Sequence, residues 1–447
     1  MRVKIPVLLI TQRFRWFIRL MTNEDHAVSM RRAAIHCLSQ STKHVRGHGE
    51  VGVEANDMAR LRDKALESFW SDSVPLGAIP VVGLDDEMSP MEFRKMFHCG
   101  NIPCLVRGLR EVDFKRVTDM WLDDKGQINR DWFRRRVGCD TEVPVRQQQQ
   151  ETRDALDEQG RAAECNTIRI RMQDWLDSSA SDPQLYLKDW HLQMFLSNQH
   201  PSVSSSSSSP SSLYTVPEIF RHDLLNTFLS RFTDGDYRFV YWGPAGSRTA
   251  IHSDVLHSFS WSYNVCGEKR WTFYVPPTTQ EKTKEADSAR TITVHQRAGE
   301  TVFVPCGWMH EVENVVETLS INHNWITTAN LDQTLECVLT EMVSVNRECQ
   351  EWGIEGWDGR ESMLRGCVGL DVTNLFLLLL YGLLDEEMNS PCNANVLDRA
   401  VLKHSICRLL CDENVALLPR LSAVLDDKDL AKKCIKLAQD ATVELSA

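Results

Sequence analysis

The sequence predicts a mainly β protein with added α-helices, in which an antiparallel barrel or sandwich precedes a C-terminal helical domain. Between residues 237 and 326, short alternating segments end at Gly or Pro, as the strands of compact antiparallel sheets do. After about Ala329 these strand signals stop, and residues 331–447 carry apolar side chains at helical spacing. We therefore expect an ordered β-rich domain over residues 76–330, followed by a helical domain.

The β-rich domain is predicted from its strands and the residues that punctuate them. Near its start, Ser89 is placed to cap a helix whose first residue is Pro90. The predicted strands are Ile79–Leu84, Ile102–Leu109, Leu185–Leu192 (a strand running into a turn), Arg238–Trp242, Lys269–Val275, Thr301–Val304 and Leu319–Ile326. Two short helices are predicted at Arg169–Leu176 and Leu224–Leu229. Residues 278–298 are interpreted as a variable loop between strands.

The C-terminal domain is predicted from helical spacing alone. Its predicted helices are Leu331–Cys349, Glu361–Gly366, Val372–Leu384, Val396–Cys411, Val415–Leu425 and Leu430–Val443. Residues 374–384 are strongly apolar but too few to cross a bilayer, which favours a buried helix.

Polar segments are predicted to lie outside the ordered core. Residues 1–75 indicate a partly disordered N-terminal extension that contains one amphipathic helix at Met58–Trp70. Residues 144–166 are polar and charged and residues 202–212 are almost all Ser, so both indicate flexible insertions. Residues 1–21 hold basic but no acidic side chains, which fits a transit-peptide-like segment. We favour the other interpretation, an extension or a start residue placed too early.

The composition is that of a globular protein with a sizeable core. The chain has 447 residues, of which 42% are hydrophobic and 25% charged, and its formal net charge is −12. With this charge, neither nucleic acid nor an anionic membrane is expected as a partner. The fourteen Cys include no CxxC pair, and Cys407 and Cys411 have no second pair nearby, which gives a structural zinc site little support. Scattered thiols of this kind favour a cytoplasmic protein, with a nuclear location as the alternative.

Two histidines and one aspartate form the strongest candidate metal site. His252 and Asp254 are separated by one residue, so on a strand both side chains point to the same face. His310 follows the predicted strand Thr301–Val304 through a Gly-Trp turn and is the candidate third ligand. Two imidazoles and one carboxylate are the facial triad of non-haem Fe(II) oxygenases, which leaves positions open for a 2-oxo acid and dioxygen. These three residues are the predicted iron ligands and catalytic residues.

A cation on a neighbouring strand would complete a site for 2-oxoglutarate. The far carboxylate of this diacid needs a basic partner, and Lys269 opens a predicted strand just after Gly267. Thr249, three residues before His252, adds a hydroxyl donor. Arg270 should point to the opposite face of the strand and is interpreted as structural.

Three further histidines compete as metal ligands: His257, His295 and His323. An HxD pair is common and weak by itself, and most single histidines pack in a core or lie on the surface. The order of the motifs decides between them: an HxD pair, a Gly-x-Lys-x-Trp strand and a Gly-Trp-x-His turn follow one another within residues 252–310. This combination favours the triad and leaves the other histidines in supporting or structural roles.

Four sequence strings carry a resemblance to a known family. They are GPAGSRTAIHSD at 243–254, GEKRW at 267–271, GETVFVPCGWMH at 299–310 and SINHNW at 320–325. In this order they resemble the JmjC domain of Fe(II)- and 2-oxoglutarate-dependent oxygenases, within the cupin superfamily. The resemblance covers roughly residues 76–330.

The resemblance implies a fold, cofactors and binding residues. The implied fold is a double-stranded β-helix with flanking helices, and the implied cofactors are Fe(II), 2-oxoglutarate and dioxygen. Lys269, Thr249 and Asn322 are the implied cosubstrate-binding residues. Two positions depart from the family pattern, because Ser262 stands where relatives often have Asn and Asn322 where they often have Thr.

Narrower strings imply a reaction and a partner. YLKDWHL at 186–192 and HSFSWSYNVCGEKRW at 257–271 are similar to one branch of the family, known for lysyl hydroxylation of the translation termination (release) factor. The resemblance therefore implies hydroxylation of a lysine side chain of that factor. Two alternatives stay open: a JmjC N-methyl-lysine demethylase, and a non-catalytic cupin scaffold. The C-terminal helices are the element through which we expect a homodimer to form.

Overall fold

The structure is a computed structural model. It describes residues 78–83, 88–147, 166–178, 182–199, 212–233, 235–276, 290–384, 396–412, 414–425, 428–429 and 431–436. The predicted extension at residues 1–75, its helix at Met58–Trp70 and nearly all of the Ser-rich segment at residues 202–212 lie outside these ranges.

The described strands form two sheets. In chain order they are β1 (Val81–Gly83), β2 (Cys104–Arg107), β3 (Glu142–Gln147), β4 (Asn166–Arg171), β5 (Leu185–Trp190), β6 (Arg238–Gly243), β7 (Arg248–His252), β8 (Phe259–Cys266), β9 (Glu268–Tyr274), β10 (Thr291–Arg297), β11 (Thr301–Val304), β12 (Met309–Asn314) and β13 (Thr318–Trp325). The major sheet has the order β1-β2-β11-β8-β13-β6-β5-β3-β4, and the minor sheet has the order β10-β9-β12-β7. The edge strand β1 pairs with β2 in parallel, and the other pairs are antiparallel.

The major sheet is covered on both faces, and the sequence of β8 explains why. All eight of its residues are buried. Because successive side chains of a strand point to opposite faces, its large residues fall on one face and its small polar ones on the other. Phe259, Trp261 and Tyr263 join an apolar cluster with the helices outside the sheet. Ser260 and Ser262 point inward, so the interior of the domain is polar along this strand.

Part of the interior is apolar and joins the two sheets. Trp271 and Phe273 of β9 in the minor sheet share one cluster with Val302 and Val304 of β11 in the major sheet. Burial of this apolar surface holds the sheets face to face. The arrangement is the double-stranded β-helix that the family resemblance implies.

The helices flank the major sheet and then build the C-terminal domain. They are α1 (Pro90–Phe93), α2 (Lys115–Trp121), α3 (Arg130–Val137), α4 (Met172–Ser178), α5 (Leu192–Gln199), α6 (Leu224–Phe232), α7 (Leu331–Trp352), α8 (Trp357–Val368), α9 (Val372–Leu384), α10 (Val396–Cys411) and α11 (Leu421–Val424). Ser89 caps α1 in a capping box with Glu92, and Pro90 is the first helical residue, as the sequence predicts. Helix α7 ends at Gly353, whose φ of 64° is favourable for glycine.

The C-terminal helices share a core with the β domain. Leu256, which follows the HxD motif, and Ile326, which follows β13, lie in the same apolar cluster as α6, α7 and α9. Residues 374–383 are nearly all buried, as predicted for an apolar helix within the core. No single described helix is long and apolar enough to span a bilayer, and only α8 and α9 together, bent by 73°, meet the length and composition criteria.

The structure corrects three predictions, and in each case strand alternation explains the difference. Residues 144–147 belong to β3, whose Val143 and Val145 are buried, rather than to a flexible insertion. Residues 169–171 end strand β4, and a helix begins only at Met172. Within the predicted loop 278–298, Thr291–Arg297 forms β10, which alternates between exposed and buried residues against β9. In all three segments, polar residues at the outward-facing positions made the strand pattern difficult to recognise in the sequence.

The last part of the predicted helical tail is also more broken than its spacing indicates. The predicted helix Val415–Leu425 is a short 3₁₀ turn at Leu418–Arg420 followed by α11. Pro419 within this segment has no backbone N–H to donate, so it fits the first turn of a helix but not its interior. The other described C-terminal helices lie where the sequence predicts them, with bounds shifted by a few residues.

Candidate metal centre and adjoining pocket

The fold brings the three predicted metal ligands together. His252 is the last residue of β7, His310 lies on β12, and the two are directly paired across the strands. Asp254 follows two residues after the end of β7. One ligand atom from each of the three residues lies within 4.8 Å of the others. His310 is buried while His252 and Asp254 are partly exposed, so the centre is open on one side.

Hydrogen bonds to the backbone orient both imidazoles in the same way. His252 Nδ1 lies 2.9 Å from the carbonyl oxygen of Ala250, and His310 Nδ1 lies 3.0 Å from that of Trp308. A carbonyl oxygen only accepts, so each Nδ1 carries the proton and each Nε2 presents its lone pair. This tautomer is the one that each imidazole needs in order to bind a metal through Nε2.

Asp254 is held by the neighbouring strand and by the turn that follows it. Ser260 on β8 donates a hydrogen bond of 2.6 Å to Asp254 Oδ2. In the turn, Leu256 and His257 adopt φ angles of 59° and 46°, which are uncommon for residues other than glycine. Burial of Leu256 in the C-terminal core and a hydrogen bond of 3.2 Å from Asn330 Nδ2 to the His257 carbonyl stabilise this conformation.

The competing histidines have other partners. His295 is exposed, and its Nδ1 lies 2.6 Å from Glu268 Oε1. His323 is buried outside the pocket, where its Nε2 lies 2.9 Å from Asp223 Oδ2, the capping residue of α6. His257 lies in the turn, and burial lowers its pKa. Among the described residues, the triad is the group of His, Cys, Asp and Glu close enough to hold one metal ion.

Lys269 lies inside the domain, as predicted, and its nearest polar partner is neutral. Its Nζ donates a hydrogen bond of 2.6 Å to Ser320 Oγ on β13, across the interior from its own strand β9. The side chain is 2% exposed, and this burial lowers the pKa of its ammonium group to about 7. No described carboxylate contributes to this shift. Arg270 points the other way, to an exposed pair with Glu313 at 2.6 Å, as the alternation predicts.

The polar inward residues of β8 and β13 connect the metal ligands to Lys269. At one end Ser260 bonds Asp254, and at the other end Ser320 bonds Lys269. Between them Ser262 donates a hydrogen bond of 2.8 Å to Asn322 Oδ1. Each two-residue step along a strand is about 7 Å, so the row forms an elongated polar pocket.

The two departures from the family pattern therefore contact each other. Ser262 and Asn322 are direct partners in the register of β8 and β13, and their side chains share one hydrogen bond. The residue that departs from the pattern at each position is thus the hydrogen-bond partner of the one at the other position. The role of Asn322 as a cosubstrate ligand stays a prediction.

Sequence reasoning missed several inward residues of this pocket. They are Tyr186, Lys188, Tyr241, Ser260 and Ser320. A signal was present for two of them, because alternation places Tyr186 and Lys188 on one face of β5, and a lysine at a buried strand position is unusual. Lys188 is 4% exposed and donates a hydrogen bond of 3.0 Å to the predicted site residue Thr249.

A close approach of backbone and side chains shapes this side of the pocket. A Cβ atom on Gly243 would lie 2.3 Å from Ser247 Oγ, 2.6 Å from Asn314 Nδ2 and 2.7 Å from Tyr186 Cδ2. Only glycine leaves room for these three side chains at the end of β6. Tyr186 is thereby held with its hydroxyl against Thr249 and Asn314, and burial raises the pKa of that hydroxyl.

Comparison with known proteins identifies the family. The model of the JmjC domain, described as "JmjC domain, hydroxylase", matches residues 279–325, a stretch that contains His310. A protein named 2-oxoglutarate and iron-dependent oxygenase JMJD4 from Danio rerio is 34% identical over 254 residues, which cover 50% of this chain and 57% of the relative. The Mus musculus protein of the same name is 29% identical over 350 residues, 71% of this chain and 78% of the relative.

The chain contains a JmjC domain. Another relative, with lower identity, is the bifunctional arginine demethylase and lysyl-hydroxylase psr-1 of Caenorhabditis elegans, 27% identical over 272 residues, 54% of this chain and 59% of the relative. The chain thus spans little more than half the length of the zebrafish and worm relatives.

The described residues of this JmjC domain fit the cofactors that the relatives' names imply. Two imidazole nitrogens and one carboxylate oxygen are a donor set that suits Fe(II) and leaves further positions open. At the other end of the pocket, a buried ammonium group bonded only to a neutral hydroxyl fits an anionic group. A compact dicarboxylate chelating the metal at one end meets both requirements.

Proposed function

We propose that this protein is an Fe(II)- and 2-oxoglutarate-dependent dioxygenase that hydroxylates a lysine side chain of the translation termination (release) factor. The observation that carries the cosubstrate assignment is Lys269. Burying an ammonium group beside a neutral hydroxyl is unfavourable, and a bound carboxylate would remove that cost. A metal triad alone would fit many reactions, whereas a triad with a buried cation in the same pocket favours a chelating diacid.

Residues at different places along the pocket would have different roles. His252, Asp254 and His310 would hold the metal, and Ser260 would keep the carboxylate of Asp254 in its ligating orientation. Lys269 would bind the far carboxylate of 2-oxoglutarate and so fix the diacid along the row of polar inward residues. When bound, iron with 2-oxoglutarate supplies the oxidising power: one atom of dioxygen enters a substrate C–H bond, and the other enters succinate as carbon dioxide leaves.

Buried aromatic side chains support a protected reaction site. The ring of His310 lies 5.7 Å from that of Trp271 and 6.0 Å from that of Phe273. These side chains shield the inner side of the centre from water, which strengthens electrostatic interactions within it. The partly exposed His252 and Asp254 leave the outer side open for a substrate side chain.

The choice of lysine and of the release factor rests on similarity and charge. The name of psr-1 includes lysyl hydroxylation, and the strings at 186–192 and 257–271 resemble the branch known for hydroxylating that factor. The net charge of −12 favours a basic, lysine-bearing partner. A cytoplasmic location and a homodimer through the C-terminal helices remain part of the proposal, and light scattering on the full chain tests the dimer.

The first experiment measures the reaction of the cosubstrate. Purified full-length chain with Fe(II) should bind 2-oxoglutarate and, with substrate present, convert it to succinate. The His252→Ala variant should lose the metal and the turnover while keeping the wild-type circular dichroism spectrum. Lack of metal-dependent 2-oxoglutarate binding by the folded wild type would overturn the proposed function and favour the non-catalytic scaffold.

The second experiment distinguishes hydroxylation from demethylation. Mass spectrometry of the release factor after reaction should show the gain of one oxygen atom on a lysine. The alternative function is a demethylase, which is favoured by the arginine demethylase activity named for psr-1. Loss of one methylene mass from methyl-lysine or methyl-arginine peptides, with no oxygen gain on the release factor, would replace the hydroxylase assignment.

A further inference from the structure

The pocket contains two lysine–hydroxyl pairs that cross its interior in opposite directions. Lys269 of the minor sheet donates to Ser320 Oγ of the major sheet at 2.6 Å. Lys188 of the major sheet donates to Thr249 Oγ1 of the minor sheet at 3.0 Å. Both lysines are at most 4% exposed. The second pair is thus built much like the first, and the sequence indicates one residue of each, Lys269 and Thr249.

Tyr241 lies between the two pairs. Ser320, Tyr241 and Lys188 come from β13, β6 and β5, which are consecutive neighbours in the major sheet. The Nζ atoms of Lys188 and Lys269 lie 5.3 Å and 5.8 Å from the centre of the Tyr241 ring. Contact with an aromatic ring stabilises an ammonium group, so one side chain holds both cations at the same end of the pocket.

The hydrogen-bonding capacity of these groups sets the direction of the Thr249 hydroxyl. An ammonium group can only donate, so Lys188 occupies a lone pair of Thr249 Oγ1 and leaves its proton available. The Tyr186 hydroxyl also lies against Thr249 and, being neutral, can accept this proton. A carboxylate accepts more strongly than a neutral hydroxyl, so it would take this proton in preference.

We propose that Lys188 is a positioning residue of the 2-oxoglutarate pocket: its ammonium group holds the Thr249 hydroxyl as a donor toward the far carboxylate. This inference rests on the proposed function, because it assigns a role toward the same cosubstrate. Thr249 is a direct donor and Lys188 acts through it. The consequence is selectivity for a diacid over a 2-oxo acid without the far carboxylate.

The experiment compares two ligands that differ only in that carboxylate. Full-length chain loaded with Mn(II) is titrated calorimetrically with 2-oxoglutarate and with 2-oxovalerate, which has the same carbon chain but one carboxylate. The variants are Lys188→Met, Thr249→Val and the double substitution, with Thr249→Ser as the variant that keeps a hydroxyl. Arg270→Met is the matched control, since Arg270 is a cation of the same domain that points to the exterior.

We expect Lys188→Met to weaken 2-oxoglutarate binding by about tenfold, the effect of losing one hydrogen bond to a charged group. Binding of 2-oxovalerate and of Mn(II) should change by less than about twofold, since neither engages the far end of the pocket. The double variant should be little weaker than Thr249→Val, because Lys188 acts through Thr249. Thr249→Ser should retain most of the affinity.

The outcomes separate this inference from the proposed function. Wild-type protein that binds no 2-oxoglutarate overturns both. Wild-type binding together with a Lys188→Met variant that binds 2-oxoglutarate normally, or loses affinity equally for both ligands, overturns the inference alone and leaves Lys188 a structural residue. If Lys188→Met does not fold, the pair Thr249→Val and Thr249→Ser decides: equal loss of diacid selectivity in both, or in neither, overturns the inference.

Discussion

The two ends of the pocket are built in different ways. At the metal end, His252 and Asp254 are two residues apart, and each imidazole is oriented by the carbonyl oxygen two residues before it. At the cation end, five strands each contribute one residue: Lys188, Tyr241, Thr249, Lys269 and Ser320. The orientation of each metal ligand is thus set close to it in sequence, although His310 comes from a separate strand, whereas the cation end exists only once the two sheets face each other.

This difference affects how each end responds to ligand. The metal end is oriented by the backbone before any metal binds, because its tautomers are fixed by carbonyl oxygens. At the cation end, Lys269 is a buried ammonium group beside a neutral hydroxyl, which is unfavourable until an anion binds. We therefore expect substitutions at the metal end to abolish function. Substitutions at the cation end should weaken ligand binding but preserve or raise the stability of the ligand-free protein.

Asp254→Ala should have the largest effect. It removes a ligand, so metal affinity should fall by more than the ~100-fold typical of groups that only support a ligand. The free energy of unfolding should change little, because Asp254 is partly exposed and contributes no core volume. Metal titration and chemical denaturation measure the two quantities. A variant that keeps its metal but unfolds more easily would show that Asp254 is structural.

Lys269→Met should separate binding from stability at the cation end. Loss of the buried charge partner should weaken 2-oxoglutarate binding by about 100-fold or more, as removal of one member of a buried ion pair does. In the absence of ligand the melting temperature should stay the same or rise, because an apolar side chain of similar length replaces a buried ammonium group.

Arg270→Met is the control for this prediction, because Arg270 is adjacent on β9 but forms an exposed ion pair with Glu313. Exposed pairs contribute about 0–1 kcal/mol, so neither 2-oxoglutarate affinity nor melting temperature should change much. Equal loss of affinity in both variants would mean that β9 is perturbed as a whole and that Lys269 has no specific charge role.

The cation end should also make ligand binding depend on pH. Burial lowers the pKa of Lys269 to about 7, and a bound carboxylate raises it. Above pH 7 the ligand-free group is increasingly neutral and must take up a proton on binding, so 2-oxoglutarate affinity should fall by up to tenfold per pH unit. Calorimetry in buffers of different ionisation enthalpy measures that proton. A slope that persists in Lys269→Met would assign the effect to another group.

The same shift predicts the stability of the ligand-free protein. Between pH 7 and the higher pKa of an unfolded lysine, the unfolded chain binds the proton and the folded chain does not, so the contribution of Lys269 to stability rises with pH. The free energy of unfolding of the wild type should therefore rise relative to that of Lys269→Met as pH increases over this range. Denaturation of both proteins at several pH values isolates this one group.

The comparison also explains how much the sequence could predict. The triad, Lys269 and the outward direction of Arg270 follow from motifs and from strand alternation. Lys188 and Ser320 were not assigned, because no motif links them to their partners Thr249 and Lys269, which are 61 and 51 residues away in the chain. The strand orders of the two sheets are not encoded in any local pattern, and these orders bring the partners together.

Prediction of the strands was limited in the same way, because strand pairing is not encoded in local sequence patterns. Strands bounded by Gly or Pro, such as β11 before Pro305, were predictable, whereas β10 and the end of β3 were not. Their outward residues are polar because one face is exposed, and a polar run without a turn signal is also typical of a loop. Pairing with β9 or β4 decides the conformation, and pairing is a property of the whole sheet.

Substitutions in the middle of the pocket, where Ser262 bonds Asn322, should have the smallest effect. They also test whether this part of the pocket belongs to the metal end or to the cation end. Ser262→Ala should lower the free energy of unfolding by about 1 kcal/mol, since it removes one neutral hydrogen bond. The Ser262→Ala and Asn322→Ala effects should be coupled by about 0.5 kcal/mol or more, because the side chains contact each other. If Asn322 is only structural, Asn322→Ala keeps 2-oxoglutarate affinity within about twofold. A larger loss would make it the cosubstrate ligand that the sequence predicts and extend the cation end toward the metal.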